Sequence, residues 1–412
     1  MLNRVMKDKV FCGLDIGSQK LKVSLIQIKD SKPEILGAFE HPIYGFKDSS
    51  VSDLNEFADC INHVLNELAE KTGVRTKEIQ IGLDGSFIDV RKTSTAIPLV
   101  DRGNKVIAAT DVRKLNKQAR LLGVKMEDEV LHEMPQIYQV DDVNSATNPL
   151  GLYGRKLAVQ SLIIVSNVDR VKNIFKSVNH AGYDVKNLFF GSYVSSEIVL
   201  TDDHRNKGCV LIDVGANTTS VLVFHEGRLK YIETLEMGGN DFTQEIARAL
   251  SLSFELAEEI KKSYATAIIS QIQEDEEILV KRESAYTPIK RIQIYNAILN
   301  QVDNFVEEIY QSILRSEFYE DLYAGVKMIG GGALLTGLIE KIEEKTKLAV
   351  TLAQINNINQ RNVSNSALFS TAISLAQKGF EDSKENDNYR KGQINLGQRM
   401  ITKVKELYTE YF

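Results

Sequence analysis

Three cysteines carry all the thiol chemistry of this 412-residue chain. Cys12, Cys60 and Cys209 show neither CxxC nor metal-ligand spacing, and their odd count fits reduced thiols in the cytosol rather than a disulfide frame. Histidine is nearly as sparse: of the six, His41, His132, His180, His204 and His225 share no ligand spacing, which excludes a metal centre built on them. A surplus of positive charge is also missing. The 50 Lys and Arg stand against 56 Asp and Glu, a net charge of −6, which argues against a nucleic-acid partner. No secretory leader is read at the start, and no apolar run is long enough to span a bilayer. What is present is an ordinary globular composition, 43% hydrophobic and 26% charged, with length enough for two domains or more.

Within that composition one stretch stands out. CVLIDVGANTTSVLVF, residues 209–224, places Asp and Gly inside a strand-forming run, where a buried strand avoids both. Two strands joined by a tight polar turn resolve the conflict. The same pattern occurs near the N-terminus as VFCGLDIGSQKLKVSLIQI, and each copy leads through a polar turn into a third strand-like run. Asp15 and Gly17 thus match Asp213 and Gly215. A duplicated three-strand unit predicts two similar halves whose Gly-containing turns face each other across a cleft, with backbone N–H groups suited to an anion.

Further along, VSDLNEFADCINHVLNELAEKTG has helical apolar spacing and EIQIGLDG follows it as a strand. Residues from about 86 to 165 have no counterpart in the second half and read as a small inserted α+β subdomain. DRVKNIFKSVNHAG is expected to be helical, GGNDFTQEIARALSLSFELAEEIKKSYATA reads as two helices, and a long amphipathic helix is expected from Ile289 to Leu314. VKMIGGGALLTGLIEKIEEKTK combines a strand, a Gly330-Gly331-Gly332 loop and a helix. That loop is either a simple left-handed turn or a place where no side chain blocks a base or phosphate.

Two DxG hairpins and a Gly triplet in a duplicated frame resemble the actin, Hsp70 and sugar-kinase ATP-binding superfamily. HEMPQIYQV with NPLGLYG in the inserted segment, together with SSEIVLTDD and ALFSTAISLA, narrows the resemblance to the bacterial FtsA cell-division family. It implies an α/β fold: an actin-like duplicated ATPase with an inserted α+β subdomain and a C-terminal amphipathic helix. The expected organisation is domain 1 in residues 1–85 and 166–205, an inserted subdomain in 86–165 and domain 2 in 206–362. A closing helix in 363–378, a flexible linker in 379–397 and a membrane-targeting helix in 398–412 complete it.

The resemblance also implies a site for ATP and Mg. Gly17, Ser18 and Gln19 would offer N–H groups to the β- and γ-phosphates, with Lys22 adding a positive charge. Gly215, Ala216, Asn217 and Thr218 would hold the phosphates from the other side. Asp15 and Asp213 suit a polyanion only with Mg²⁺ between them, directly or through water. Glu258 and Lys261 would meet the ribose or base edge, although they also read as a solvated i,i+3 ion pair, and Gly238 and Gly239 would also bind the cofactor. Gly330, Gly331 and Gly332 would line the adenine pocket. No general base is evident, so at most slow ATPase activity is expected.

In QRMITKVKELYTEYF, Met400, Ile401, Val404, Leu407, Tyr408, Tyr411 and Phe412 fall on one arc of about 140°. A helix so short and charged would lie in the membrane interface rather than cross it. The implied partners are the FtsZ C-terminal peptide, further copies of the chain in a filament, the lipid surface and other divisome proteins, with no nucleic acid. Lys290 and Arg291 are the expected cations for the acidic peptide. The implied place is the cytoplasmic face of the plasma membrane at the division site, as a peripheral protein of the Z-ring and septum. The alternatives are a PilM-like ATP-binding scaffold of a pilus assembly platform and a small-molecule kinase of the same fold.

Overall fold

The computed structural model describes residues 9–29, 32–47, 49–100, 103–142, 144–273, 276–282, 285–356, 358 and 366–391. Strand β1 (Val10–Ile16) pairs antiparallel with β2 (Lys20–Lys29), which pairs antiparallel with β3 (Lys32–Pro42). A short ribbon of β4 (Phe46–Lys47) and β5 (Ser50–Val51) leads to α1 (Leu54–Thr72). Asp53 caps that helix by accepting from the N–H groups of Asn55 and Glu56, and Gly73 ends it in the left-handed region. Its buried face carries Phe57, Ile61, Val64, Leu65 and Leu68. Strand β6 (Glu78–Leu83) then runs parallel to β1.

The next segment builds its own layer. Strands β7 (Ile88–Pro98), β8 (Lys105–Val106), β9 (Asp128–Val140), β10 (Asn144–Ala146), β11 (Tyr153–Gly154) and β12 (Lys156–Asn167) surround α2 (Ala109–Gly123). Four of them form a sheet in the order β10-β9-β12-β7, and Leu115 and Ala119 of α2 meet Ile97, Tyr138, Val140, Leu157 and Val159 in a separate core. His132 of β9 joins this layer to the first half: its Nε2 accepts the Phe190 N–H at 2.9 Å. Burial, aided by Lys378, pushes the His132 pKa down to about 3, so the ring is a neutral acceptor. Helix α3 (Val168–His180), β13 (Asp184–Phe190), α4 (Gly191–Val199) and α5 (Asp202–Asn206) return the chain to the first half.

The second half repeats the first. Strands β14 (Cys209–Val214), β15 (Thr219–His225) and β16 (Arg228–Leu235) form the second triple unit, followed by α6 (Gly239–Leu250) and α7 (Phe254–Tyr264). A ribbon of β17 (Glu277–Arg282) and β18 (Ala285–Lys290) precedes α8 (Arg291–Arg315), and β19 (Val326–Ile329), α9 (Leu338–Thr346) and β20 (Val350–Leu352) follow. The sheet orders β3-β2-β1-β6-β13 and β16-β15-β14-β19-β20 correspond strand for strand. In both, two antiparallel pairings precede two parallel ones. Helix α10 (Ser370–Lys391) then crosses back onto the first half.

Three local expectations change. The long helix starts at Arg291, not Ile289, because Ile289 pairs with Ile278 in the β17–β18 ribbon and both are buried. The Gly triplet does not open a helix directly: a 3₁₀ turn over Gly332–Leu334 intervenes before α9. The linker expected from 379 is helical through Lys391. Polar pairs support that extension: Gln377 bonds Glu381 at 3.1 Å, Asn187 bonds Asp382 at 3.0 Å, and the Lys384 ammonium lies 4.0 Å from the Phe380 ring centroid. The rest of the linker and the membrane-targeting helix, with Met400, Ile401, Val404, Leu407, Tyr408, Tyr411 and Phe412, lie outside the described residues.

Gly13 shows how closely α10 sits on β1. A Cβ there would run into the Ala372 carbonyl and stand 2.8 Å from both the Ala376 nitrogen and Leu375 Cβ. Gly13→Ala should therefore lift α10 and cost about 2–3 kcal/mol in urea unfolding. A loss below about 0.5 kcal/mol, the scale of surface substitutions, would show that the helix does not seal this strand.

Candidate functional site

The two Gly-containing turns close with the same bond. The Gly17 N–H donates to the Lys20 carbonyl at 3.2 Å, and the Gly215 N–H donates to the Thr218 carbonyl at 2.9 Å. Among the described residues, no protein acceptor takes the N–H of Ser18, Gln19, Ala216 or Asn217. The turns face one cleft of about 440 Å³ between the halves, a volume suited to a small-molecule ligand.

Asp15 and Asp213 stand one residue before the ends of the two central strands, at the floor of this cleft. Across its hairpin Asp15 faces Lys22, whereas Asp213 faces Ser220. The Ser192 hydroxyl donates to Asp213 Oδ2 at 2.8 Å. Burial raises Asp15 to about 7; Lys22 opposes that rise, and Asp213 and Asp84 add to it. Asp213 is also raised by burial, against the Ser192 bond and Lys22. Three acids with one nearby ammonium thus make the cleft floor electrostatically unsatisfied.

At the other end, Glu258 and Lys261 form a 2.6 Å ion pair that is largely buried, not solvated. The Lys261 ammonium also donates to the Gly239 carbonyl at 2.7 Å and to Thr243 Oγ1 at 2.8 Å. Burial and the charge of Lys262 lower the Lys261 pKa, against Glu258. Its protons are committed to protein acceptors, so the pair ties α7 to the start of α6 while lining the cleft.

The glycines divide by role. Gly330 has φ +89°, and a Cβ there would stand 2.7 Å from Asp213 Oδ1. A Cβ at Gly332 would collide with Val214 Cγ1, whereas at Gly331 it would meet only Leu368 Cδ1 at 3.4 Å. Gly330 and Gly332 are therefore demanded by close packing on the end of β14, and Gly331 is the open position.

The cleft collects Asp15, Gly17, Ser18, Gln19 and Lys22 from the first turn, and Asp213, Gly215, Ala216 and Thr218 from the second. Gly239, Glu258, Lys261 and the Gly triplet complete the expected set. Two expected residues do not line it. Asn217 accepts a 2.7 Å bond from Asn240, which takes the lining place, and Gly238 caps α6 through its N–H to Asp241. Asp84, Ser192 and Thr371 line the cleft unforeseen. Only Asp84 had a sequence signal, the Asp-Gly-Ser after a strand that marks a capped turn. Arg291, an expected peptide-binding cation, instead bonds Glu276 at 3.0 Å and the Tyr264 carbonyl at 2.8 Å.

The family model described as "Cell division protein FtsA" matches residues 210–374, and that described as "SHS2 domain inserted in FTSA" matches residues 85–165. Cell division protein FtsA of Streptococcus pneumoniae is 27% identical over 400 residues, covering 96% of this chain and 86% of that protein. The Escherichia coli K12 protein of the same name is 26% identical over 407 residues, covering 96% and 95%. Among solved structures, a PilM-PilN type IV pilus biogenesis complex aligns with TM-score 0.64 and 18% identity over 90% of this chain and 98% of that one. MreB5 of Spiroplasma citri bound to ADP aligns with TM-score 0.54 and 12% identity over 92% and 98%. The fold is that of the actin-like ATPases.

The raised Asp15 pKa predicts a pH effect. A carboxylic acid whose folded pKa is about 7 rather than 3.8 takes up a proton on folding, so its contribution is present at acid pH and lost as pH rises toward about 7. In metal- and nucleotide-free buffer, wild-type melting temperature should fall relative to that of Asp15→Asn between about pH 5 and pH 7.5. Parallel profiles would show that Asp15 is ionised throughout.

Proposed function

Because the chain belongs to the FtsA cell-division family, we propose that it binds Mg-ATP in the cleft, polymerises at the cytoplasmic membrane and tethers the FtsZ ring to it. The observation that carries the nucleotide reading is the pair of matching turns that line one cleft between the halves, with the N–H groups of Ser18, Gln19 and Ala216 taken by no protein acceptor among the described residues. In this reading Ser18, Gln19 and Ala216 offer N–H groups to the β- and γ-phosphates, and Lys22 adds charge. The base lies toward Gly331, with Glu258 and Lys261 at the ribose end.

The donor set fits a magnesium ion that arrives with the phosphates. Among the described residues no three His, Cys, Asp or Glu converge on one point, but Mg²⁺ needs only one or two carboxylates beside phosphates and water. Asp15 and Asp213, raised by burial, would be its holders, directly or through water. The ion would supply charge neutralisation between the acids and the polyphosphate. Turnover is slow at most in this reading, since both Asp84 oxygens already accept from protein groups and Asp15 and Asp213 are given to the ion rather than to a water.

Partners follow from surfaces and from the chain's end. Leu121, Leu122 and Met126 of the inserted layer are exposed at 69%, 64% and 100%, which supports a contact with the next copy in a filament. The exposed face of α8 is the proposed seat of the FtsZ C-terminal peptide. Arg291 is excluded from that role by its bonds to Glu276. The anchor is residues 398–412, read from their amphipathic pattern; among the described residues no helix is long and apolar enough to cross a membrane. A PilM-like role shares the fold alone, and the amphipathic end favours the division-site role, beside other divisome proteins.

Calorimetry with the full chain should detect Mg-ATP binding, and Gly331→Asp should weaken it by about a hundred-fold or more, since a charged side chain would fill the open place assigned to the base. No heat with wild type at millimolar nucleotide would refute the reading. In vesicle flotation, Val404→Glu with Leu407→Glu should abolish membrane binding while leaving ATP affinity intact. Continued flotation would remove the anchor.

A further inference from the structure

One carboxylate of the cleft has no part in holding the nucleotide above. Asp84 follows β6, whose parallel register sets Leu83 beside Ile16, so the sheet itself carries it to the first turn. Its two oxygens have different partners. Oδ1 accepts the Ser86 N–H at 3.0 Å and the Ser86 hydroxyl, capping the single 3₁₀ turn Gly85–Phe87. Oδ2 accepts the Ser18 hydroxyl at 2.7 Å, from 66 residues away in the chain. The cap accounts for Oδ1, but nothing in the turn requires the second bond.

A hydroxyl has one proton. While Ser18 gives it to Asp84, only oxygen lone pairs are left for the cleft, and a phosphate oxygen cannot accept from them. We propose that Asp84 is a positioning residue that competes with the terminal phosphate of a nucleoside triphosphate for the Ser18 hydroxyl, lowering the preference for triphosphate over diphosphate. The proposal rests on the nucleotide reading of this cleft. When the terminal phosphate takes the Ser18 proton, Asp84 keeps only its Ser86 bonds, and this loss weighs against the triphosphate while leaving the diphosphate untouched.

The test is the ratio of Mg-ATP to Mg-ADP affinity in the full chain, read by calorimetry. Asp84→Asn keeps the capping oxygen, since Asn and Asp cap equally well. It replaces Oδ2 by an amide that donates to Ser18, so the hydroxyl proton turns to the cleft. The ratio should rise about five-fold, the worth of one hydrogen bond, and change by less than about two-fold in a Ser18→Ala background. An unchanged ratio with Ser18 present overturns the proposal, as does an equal rise without Ser18, which would mean that charge alone acts. A residue serving only as a cap would leave the ratio unmoved. If Asp84→Asn does not fold, Asp84→Ser decides: it keeps a capping oxygen but no second acceptor for the Ser18 proton, so the ratio should again rise, and an unchanged ratio overturns the proposal. Wild type that binds both nucleotides with no change in ratio in the variants sinks this inference alone. Wild type that binds neither sinks the nucleotide reading with it.

Discussion

Two acids near the ends of two equivalent strands, with one ammonium acting on both, set what this cleft can hold. Each half of the chain delivers its acid by the same hairpin, so each acid is held in place by the pairing of a central strand. The duplication is broken opposite the acids: the residue facing Asp15 is Lys22, and the residue facing Asp213 is Ser220. One cation therefore serves two acids, and Asp84 adds a third negative charge. Burial makes this costly, and part of the cost is met by a proton on Asp15 near neutral pH. A divalent cation entering with a polyphosphate would meet the same deficit without a proton.

The surrounding packing keeps these groups in register. Gly13 lets α10 lie directly on β1, and Gly330 and Gly332 let the loop after β19 approach the end of β14. A third close approach joins the halves. A Cβ on Gly85 would stand 2.6 Å from Thr234 Oγ1 and 2.7 Å from Ser220 Oγ, so the turn that carries Asp84 rests on the second half. Any shift of that turn is felt on both sides of the cleft, because protein interiors do not yield by fractions of an ångström without cost.

Much of this was legible in the residues themselves. The two DxG hairpins, their three-strand units and the inserted layer follow from apolar runs, turn residues and a repeat, all of which are local signals. The Gly17, Gly215 and Gly331 neighbourhoods were legible for the same reason, since each turn carries its own chemistry. Boundaries were less so: the starting point of α8 depends on Ile289 finding Ile278. The length of α10 depends on partners such as Asn187, nearly two hundred residues away.

The sequence by itself determined the strands, the turns and the acids that end them, because backbone propensity and side-chain period act over a few residues. Only the tertiary structure decided how those pieces meet. It bound Asp84 to Ser18 and Ser192 to Asp213, put Asn240 where Asn217 was expected, and buried Glu258 and Lys261 as a committed pair. The reason is physical: a hydrogen bond or a desolvated charge depends on atoms brought together in space, and separations of 66 or 21 residues leave no periodic trace along the chain.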